Sequence, residues 1–344
     1  LVYGSLSDRL GRRPVLLGGI ALFAAGGVVC AFATDMTMLI CGRLLQAAGA
    51  GCSTVLARAI ARDVYGPDRL IKALAYLTMA YILGPMLAPP IGGALVDAFG
   101  WRSIFVSAAI AGVVIFLLVA AVLAETRSRP SGTPVRLVAG YVHLSRNLRY
   151  LGFVMQSGFG SGAFFAQASA VTFLMKELLQ RPTSEFGLYF MFFPCGFWIG
   201  TFTASRLGGK VRVETMVVIG SAVMVAAAVV LAGLMLSGLV LPVTLFAPGF
   251  LLTLGQGLSL PSAQSGAFMS VGKELTGTAS GVGAFLQLFV GAIFSQIVGL
   301  AADGTPYPMI VVVTVGAMAA FLFALIPTTV ARDPARVTPP SKPS

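Results

Sequence analysis

The sequence predicts an all-α integral membrane protein, and three observations support that fold class. Of its 344 residues, 57% are hydrophobic and only 10% are charged, whereas soluble domains carry about 25% charged residues. The mean hydropathy of the whole chain is +0.91. Apolar runs of about 20 residues, the length that crosses roughly 30 Å of hydrocarbon as a helix, recur between short polar breaks. Lipid is therefore the solvent around most of this chain.

Apolar runs between polar breaks predict ten complete spanning helices. Four fall early in the chain, at roughly 15–33, 37–58, 72–97 and 103–124. Six follow a polar stretch, at roughly 151–175, 185–205, 213–236, 240–270, 275–301 and 308–327. Residues 1–7 have the character of the last turns of one more helix.

The positions of lysine and arginine test this helix count. With residues 7–13 placed in the cytoplasm, all but four of the 23 fall inside; the exceptions are Arg43 within a helix and Arg102, Lys176 and Arg181 outside. Since a miscounted span would reverse every later loop, this positive-inside bias supports ten spans and a cytoplasmic C-terminus. The net charge of +11 is spread over loops, so it indicates membrane topology and no nucleic-acid partner.

One loop occurs twice. The segment Asp8 to Val15 returns in degraded form as Ser205 to Val211, with Arg9 matching Arg206 at an offset of 197 residues. Two related halves of this kind are typical of transporters. The offset predicts roughly 50 absent residues before Leu1 and twelve helices in the complete protein. The expected division is an N-terminal half at 1–125, a basic cytoplasmic linker at 126–149, a C-terminal half at 150–330 and a disordered cytoplasmic tail at 331–344.

The first copy of the loop resembles the motif between the second and third helices of the major facilitator superfamily. The match lies in Gly4, Asp8, Arg9, Gly11, Arg12 and Arg13, followed by Pro14 and Val15. The glycines suit close backbone approach, and the arginines hold the loop on the cytoplasmic side. The resemblance implies a gating role in which Asp8 contacts a later helix beginning near residues 273–276; a solvated loop without that role is the alternative. Monomeric transporters with two six-helix halves are the family expectation.

Arg43 begins a second stretch with a family likeness. The run Arg43 to Ala50 resembles the fourth-helix motif of the superfamily, whose arginine is implicated in proton coupling. A charge within the bilayer costs at least about 2.5 kcal/mol, so such an arginine is expected to have a function. Snorkelling of Arg43 to the outer boundary is the alternative.

A third stretch resembles the fifth-helix motif associated with antiporters. It runs from Gly84 to Gly93, and the motif residues are Gly84, Pro85, Pro89, Gly92 and Gly93. Prolines kink a membrane helix, and glycines allow close approach of a neighbour. This motif favours export over uptake.

Within the superfamily, the runs Gly42 to Tyr65 and Phe99 to Phe105 are most similar to the Bcr/CflA drug-efflux group. The resemblance implies proton-driven export of small drugs or metabolites across the bacterial inner membrane. Proton-driven or facilitated uptake of a metabolite by the same fold is the alternative. An enzyme is disfavoured because no catalytic constellation is recognisable, and no cofactor or metal site is expected.

Polar and aromatic residues within the spans are candidates for a substrate cavity, which should be mostly apolar with a few polar groups. They are Gln46, Tyr76, Tyr81, Gln156, Phe164, Gln167, Gln256 and Gln287. All twelve acidic residues fall in loops, in the tail or at helix ends. By resemblance, the carboxylate that carries the proton is expected in an absent first helix, near Arg43, and Asp97 is the best substitute within the chain.

Overall fold

The described residues of the computed structural model lie almost entirely in α-helices. In chain order they are α1 Arg12–Ala31, α2 Met36–Phe99, α3 Arg102–Val122, α4 Leu148–Phe173, α5 Thr183–Phe190, α6 Phe192–Leu207, α7 Val213–Leu236, α8 Pro242–Met269, α9 Thr276–Leu300 and α10 Tyr307–Arg332. A π-helical turn, Leu174–Leu178, follows α4. The structure describes residues 3, 6, 7, 10–125, 142, 144–271 and 275–332, without the side chains of 54, 55, 58, 59, 62, 63, 65–83, 86, 276, 277 and 330–332.

Seven helical segments of the described chain are long and apolar enough to cross a membrane. They are Arg12–Ala31, Arg102–Val122, Thr183–Leu207, Val213–Leu236, Pro242–Met269, Thr278–Leu300 and Tyr307–Thr329. Each coincides with a span predicted from the sequence. Helix α4 has 26 residues, which is sufficient length, but it carries several polar side chains. The all-helical membrane fold predicted from the sequence is confirmed.

The prediction of a loop between the spans at 37–58 and 72–97 is wrong. Helix α2 continues without interruption from Met36 to Phe99, over 64 residues. Its rise of 1.5 Å per residue gives a length of about 96 Å, which exceeds a single crossing. The expected break, residues 59–71, contains the helix formers alanine, arginine and leucine but also Gly66 and Pro67, so intrinsic propensity alone does not account for its helical form. At its start, the Asp35 carboxylate caps the helix by accepting the Met38 amide at 2.8 Å.

The span predicted at 185–205 is a helix with one interruption. Helix α5 ends at Phe190 and α6 begins at Phe192. Pro194 lies in the first turn of α6 and has no amide hydrogen to donate to the Phe190 carbonyl, with which its ring also clashes. Proline therefore explains the break at Met191.

Glycines determine how closely α1 and α2 approach each other. A Cβ built on Gly26 would lie 2.6 Å from the Gln46 amide nitrogen and 2.7 Å from the Gly42 carbonyl oxygen. A side chain at either glycine would therefore push the two backbones apart. Small residues at helix contacts are the usual way in which membrane helices gain dispersion energy, since lipid supplies no hydrophobic driving force between them.

By their internal contacts the residues divide into two units. One comprises residues 1–133 and 182–187, and the other comprises 134–181 and 188–344. In the first unit, α1 packs against α2 and α3. In the second, α4 packs against α8, α9 and α10, while α8 also packs against α6 and α7. The buried core around Tyr150 and Phe153 lies in the second unit.

Candidate transport and coupling sites

The first copy of the repeated loop is held by a carboxylate from far along the chain. Glu125 accepts the Arg12 amide at 2.8 Å and the Arg13 amide at 3.3 Å, at the start of α1. A carboxylate is favourable there because the first amides of a helix have no partner within it. Gly11 precedes them with φ +103°, a left-handed conformation that favours glycine.

The side chains of this loop are also engaged within the same unit. Arg12 is buried and its guanidinium donates to the Ser7 hydroxyl. Arg13 Nη2 donates to the Ala120 carbonyl at 2.7 Å. The predicted gating residues Gly4, Asp8 and Arg9, and the expected contact near 273, lie outside the described residues, so the gating role stays a prediction. Glu125 was missed, although an acidic residue just after an apolar run on the cytoplasmic side was the available signal.

The described side chains that contact the Arg43 guanidinium are neutral. Its Nη1 donates to Gln46 Oε1 at 3.3 Å, and its Cζ lies 5.6 Å from the centroid of the Phe105 ring. Gln46 is only 5% exposed, so the packing around it holds its amide in place. Within the described part of the chain no carboxylate lies within ion-pair distance of Arg43. The guanidinium therefore keeps donor capacity for another anionic or polar group.

The residues of the antiporter-type motif differ in how closely they pack against neighbouring backbone. Gly84 and Pro85 are exposed, and a Cβ on Gly84 or Gly92 would meet nothing within 4 Å. Gly93, in contrast, lies against the Thr183 carbonyl, and a Cβ on Gly187 would lie 2.5 Å from the Pro89 carbonyl oxygen. The end of the motif thus packs against the first turn of α5, within the same unit.

Asp97 binds that same turn. Its carboxylate accepts the Thr183 amide at 3.1 Å and the Ser184 amide at 2.7 Å, which caps the start of α5. Hydrogen bonds to the charged form stabilise the anion, whereas a proton carrier needs a site that accepts a proton readily. This capping contact gives Asp97 a structural role and weakens the support for it as a coupling residue.

Two of the predicted cavity glutamines hold helices together. Gln156 Nε2 donates to the hydroxyls of Ser221 at 3.0 Å and Ser259 at 3.1 Å, which joins α4 to α7 and α8. Gln256 Nε2 donates to the Ser161 hydroxyl at 3.1 Å. Both glutamines are more than nine-tenths buried. Such interhelical hydrogen bonds are a common stabilising device in membrane bundles, and the three serines were not singled out from the sequence.

The remaining cavity candidates differ in burial. Gln167 is 1% exposed, and its Nε2 donates to the Leu245 carbonyl at 3.1 Å. Phe164 is half-buried and makes an edge-to-face contact with Phe193 at 5.7 Å. Gln287 is half-buried and makes no hydrogen bond to another described residue. The side chains of Tyr76 and Tyr81 lie outside the described residues.

The second unit contains an ion pair that sequence reasoning missed. Arg149, at the start of α4, donates to Glu214 Oε1 at 2.5 Å, and Glu214 is 7% exposed in the first turn of α7. Beside it, Asn147 caps α4 by accepting the Tyr150 amide and donates to the Ser270 carbonyl at 2.6 Å. The sequence feature that could have indicated this ion pair is an acidic residue directly after the basic second loop.

These features are typical of one class of protein: a multi-pass helical membrane transporter with a repeated loop and a charged residue on an apolar helix. The comparison with family models makes the class specific. The model described as Major Facilitator Superfamily matches residues 1–295. The chain belongs to the major facilitator superfamily.

Relatives within the superfamily support the finer grouping. The chain is 27% identical over 313 residues to the bicyclomycin resistance protein homolog of Haemophilus influenzae, covering 90% of this chain and 78% of that protein. It is 30% identical over 291 residues to multidrug resistance protein D of Escherichia coli, covering 83% and 72%. These similarities confirm the Bcr/CflA-type assignment made from the sequence.

A solved structure shows the same fold. The crystal structure of a POT family transporter in complex with 5-aminolevulinic acid has a TM-score of 0.73 at 14% identity, covering 95% of this chain and 83% of that chain. At this identity the likeness concerns the fold alone, and it confirms the major facilitator fold.

Proposed function

We propose that this protein exports small drugs or metabolites across a bacterial inner membrane by proton-coupled antiport with alternating access. The drug part of the proposal is supported by the names of the bicyclomycin and multidrug resistance relatives. The antiport part is supported by the geometry at Arg43. The protein is proposed to act as a monomer with a cytoplasmic C-terminus.

The observation that carries the coupling proposal is the isolation of Arg43 from acidic groups. A guanidinium on an apolar helix is costly, and among the described residues an amide oxygen and an aromatic face compensate it. A guanidinium stabilises the anionic form of a neighbouring carboxylate and lowers its proton affinity, so a carboxylate beside Arg43 would release its proton more readily. The described acidic side chains lie at helix ends or in turns, and we propose that the carboxylate partner lies outside the described residues.

The experiment compares cells producing the protein with cells producing Arg43→Ala, using ethidium accumulation with and without an uncoupler. Export predicts low accumulation that rises when the uncoupler removes the proton gradient, and no difference from empty cells for Arg43→Ala. Arg43→Lys should also fail if the fork geometry of the guanidinium is used. Lys176→Ala, a cation in the π-helical turn, is the matched control and should export normally.

Three outcomes would contradict the proposal. Normal export by Arg43→Ala at equal membrane abundance would assign Arg43 to snorkelling. Ethidium export that does not change when the uncoupler is added would show that the proton gradient does not drive it. Higher accumulation in producing cells than in empty cells would indicate the alternative, uptake.

The gating motif is proposed to set the balance between two conformations. Asp8→Asn is therefore expected to export ethidium more slowly while binding it with unchanged affinity, because the residue acts on the equilibrium and not on the binding site. Transport at the rate of the unmodified protein would show that Asp8 belongs to a solvated loop. Equilibrium dialysis of ethidium with the purified variant supplies the affinity.

A further inference from the structure

An exposed column of side chains runs along α6 and ends in a basic turn. Trp198 and Phe202 are 54% and 47% exposed, and their rings stack with centroids 5.7 Å apart at 15°. The Cζ atom of Arg206 lies 5.0 Å from the centroid of Phe202. The three residues are four apart, so they occupy one face of the helix. This face presents an apolar surface that terminates in a cation.

The turn after this column carries uncompensated positive charge. Arg206 has its ring contact and no acidic partner within the described part of the chain, and exposed Lys210 likewise has none. The side chain of Arg212 is 71% exposed, and its Nε lies 3.9 Å from Glu214. Glu214 itself is already held by Arg149 at 2.5 Å. Local carboxylates therefore do not neutralise the turn.

From this charge and shape we infer that the face of α6 binds an anionic phospholipid. The headgroup phosphate would lie against Arg206 and Lys210, because guanidinium and ammonium groups donate charge-assisted hydrogen bonds to phosphate oxygens. An acyl chain would lie along Phe202 and Trp198, whose rings are exposed and apolar. The Phe202 ring holds the Arg206 guanidinium over the column, which reduces the side-chain entropy lost on binding.

The position of the turn agrees with this partner. By the positive-inside rule the end of α6 lies at the cytoplasmic surface, where anionic lipids attract basic segments. A neutral lipid would gain the apolar contact but no compensation of the charge. The inference does not depend on the direction or the coupling of transport.

Trp198 supplies a local probe for the test. The chain has two tryptophans, so Trp101→Phe leaves Trp198 alone beside the proposed site. Quenching of its fluorescence is measured in nanodiscs of phosphatidylcholine containing increasing fractions of dibrominated phosphatidylglycerol or dibrominated phosphatidylcholine. We expect half-quenching at about a fivefold lower fraction of the anionic lipid, the effect of roughly one cation near a membrane surface.

The variants separate this site from general charge effects. Arg206→Gln with Lys210→Gln, and Arg206→Gln alone, should lose the preference for the anionic lipid, whereas Lys176→Gln should retain it. These side chains are exposed, so the substitutions leave the packed interior unchanged. Equal quenching by both lipids in the Trp101→Phe protein would overturn the inference. A preference that persists in the Arg206 variants, or that falls equally in Lys176→Gln, would overturn it as well.

Discussion

The two copies of the repeated loop share a turn but differ in what their charges do. In the first, a left-handed glycine, Gly11, leads into α1, and Glu125 holds the following amides. In the second, the left-handed glycine is Gly209 with φ +78°, one residue later than the offset predicts. Arg12 and Arg13 of the first copy donate to groups within their unit, whereas Arg206 and Lys210 of the second copy are exposed.

This difference shows that a duplicated loop can keep a left-handed glycine while the position of that glycine shifts and the charges change roles. Both loops need a glycine to turn the chain between helices, since L-residues with a side chain avoid positive φ. The acidic partners come from different places. Glu125 lies 113 residues after Arg12, whereas Glu214 follows the second loop directly and pairs with Arg149 at the start of α4.

The largest expected effect in this comparison concerns Glu214. Glu214→Ala should lower the free energy of unfolding by roughly 2–3 kcal/mol, because it leaves the half-buried Arg149 guanidinium without its acceptor. Arg212→Ala is the control, since the exposed, 3.9 Å contact of Arg212 should contribute under about 0.5 kcal/mol. Thermal melting in one detergent ranks the two variants. Equal melting temperatures would contradict the assignment of the ion pair to Arg149.

Substitutions at Gly209 and Gly11 compare the cost of backbone strain alone with the cost of strain plus a steric clash. Gly209→Ala should cost roughly 1 kcal/mol from backbone strain alone, because a Cβ there would meet nothing within 4 Å. Gly11→Ala should cost about 2 kcal/mol, since a Cβ would also lie 2.6 Å from Glu125 Oε2 and displace the carboxylate. The same melting experiment measures both. A larger loss for Gly209→Ala than for Gly11→Ala would show that Glu125 does not hold the first loop.

The smallest effect is expected for Glu125→Gln. The amide retains one acceptor oxygen but loses the charge that favours binding at a helix N-terminus, so the loss should be about 0.5–1 kcal/mol. Combining it with Gly11→Ala should add little, because the two substitutions remove the same contact. Additive losses in melting temperature would indicate that the glycine and the carboxylate act independently.

The fold was largely predictable because the bilayer imposes length and polarity on every span. Seven predicted segments have the expected spanning character, and the one at 213–236 has the predicted bounds. The connection between the spans at 37–58 and 72–97 was not predictable from hydropathy. Polarity marks where a chain leaves lipid, but it does not determine whether the polar connection is a loop or a helix.

Site residues were predictable only where the residue type itself indicates a local backbone geometry. Gly11 was singled out for close backbone approach, and in the structure it has a positive φ with Glu125 Oε2 2.6 Å from where a Cβ would lie. The partners of buried amides were not predictable, because Ser221 and Ser259 meet Gln156 from 65 and 103 residues away. Asp97 shows the same limit, since its position at a helix end did not reveal that it caps α5.

Drug-triggered proton movement tests the central proposal most directly. Purified protein is reconstituted in liposomes that contain a pH-sensitive dye, and ethidium is added under a pH gradient at equal protein density. We expect a proton flux for the unmodified protein and for Lys176→Ala, and none for Arg43→Ala, because Arg43 is the residue proposed to couple proton movement to transport. An equal proton flux from Arg43→Ala, or no flux from the unmodified protein while it transports ethidium, would contradict the proposal.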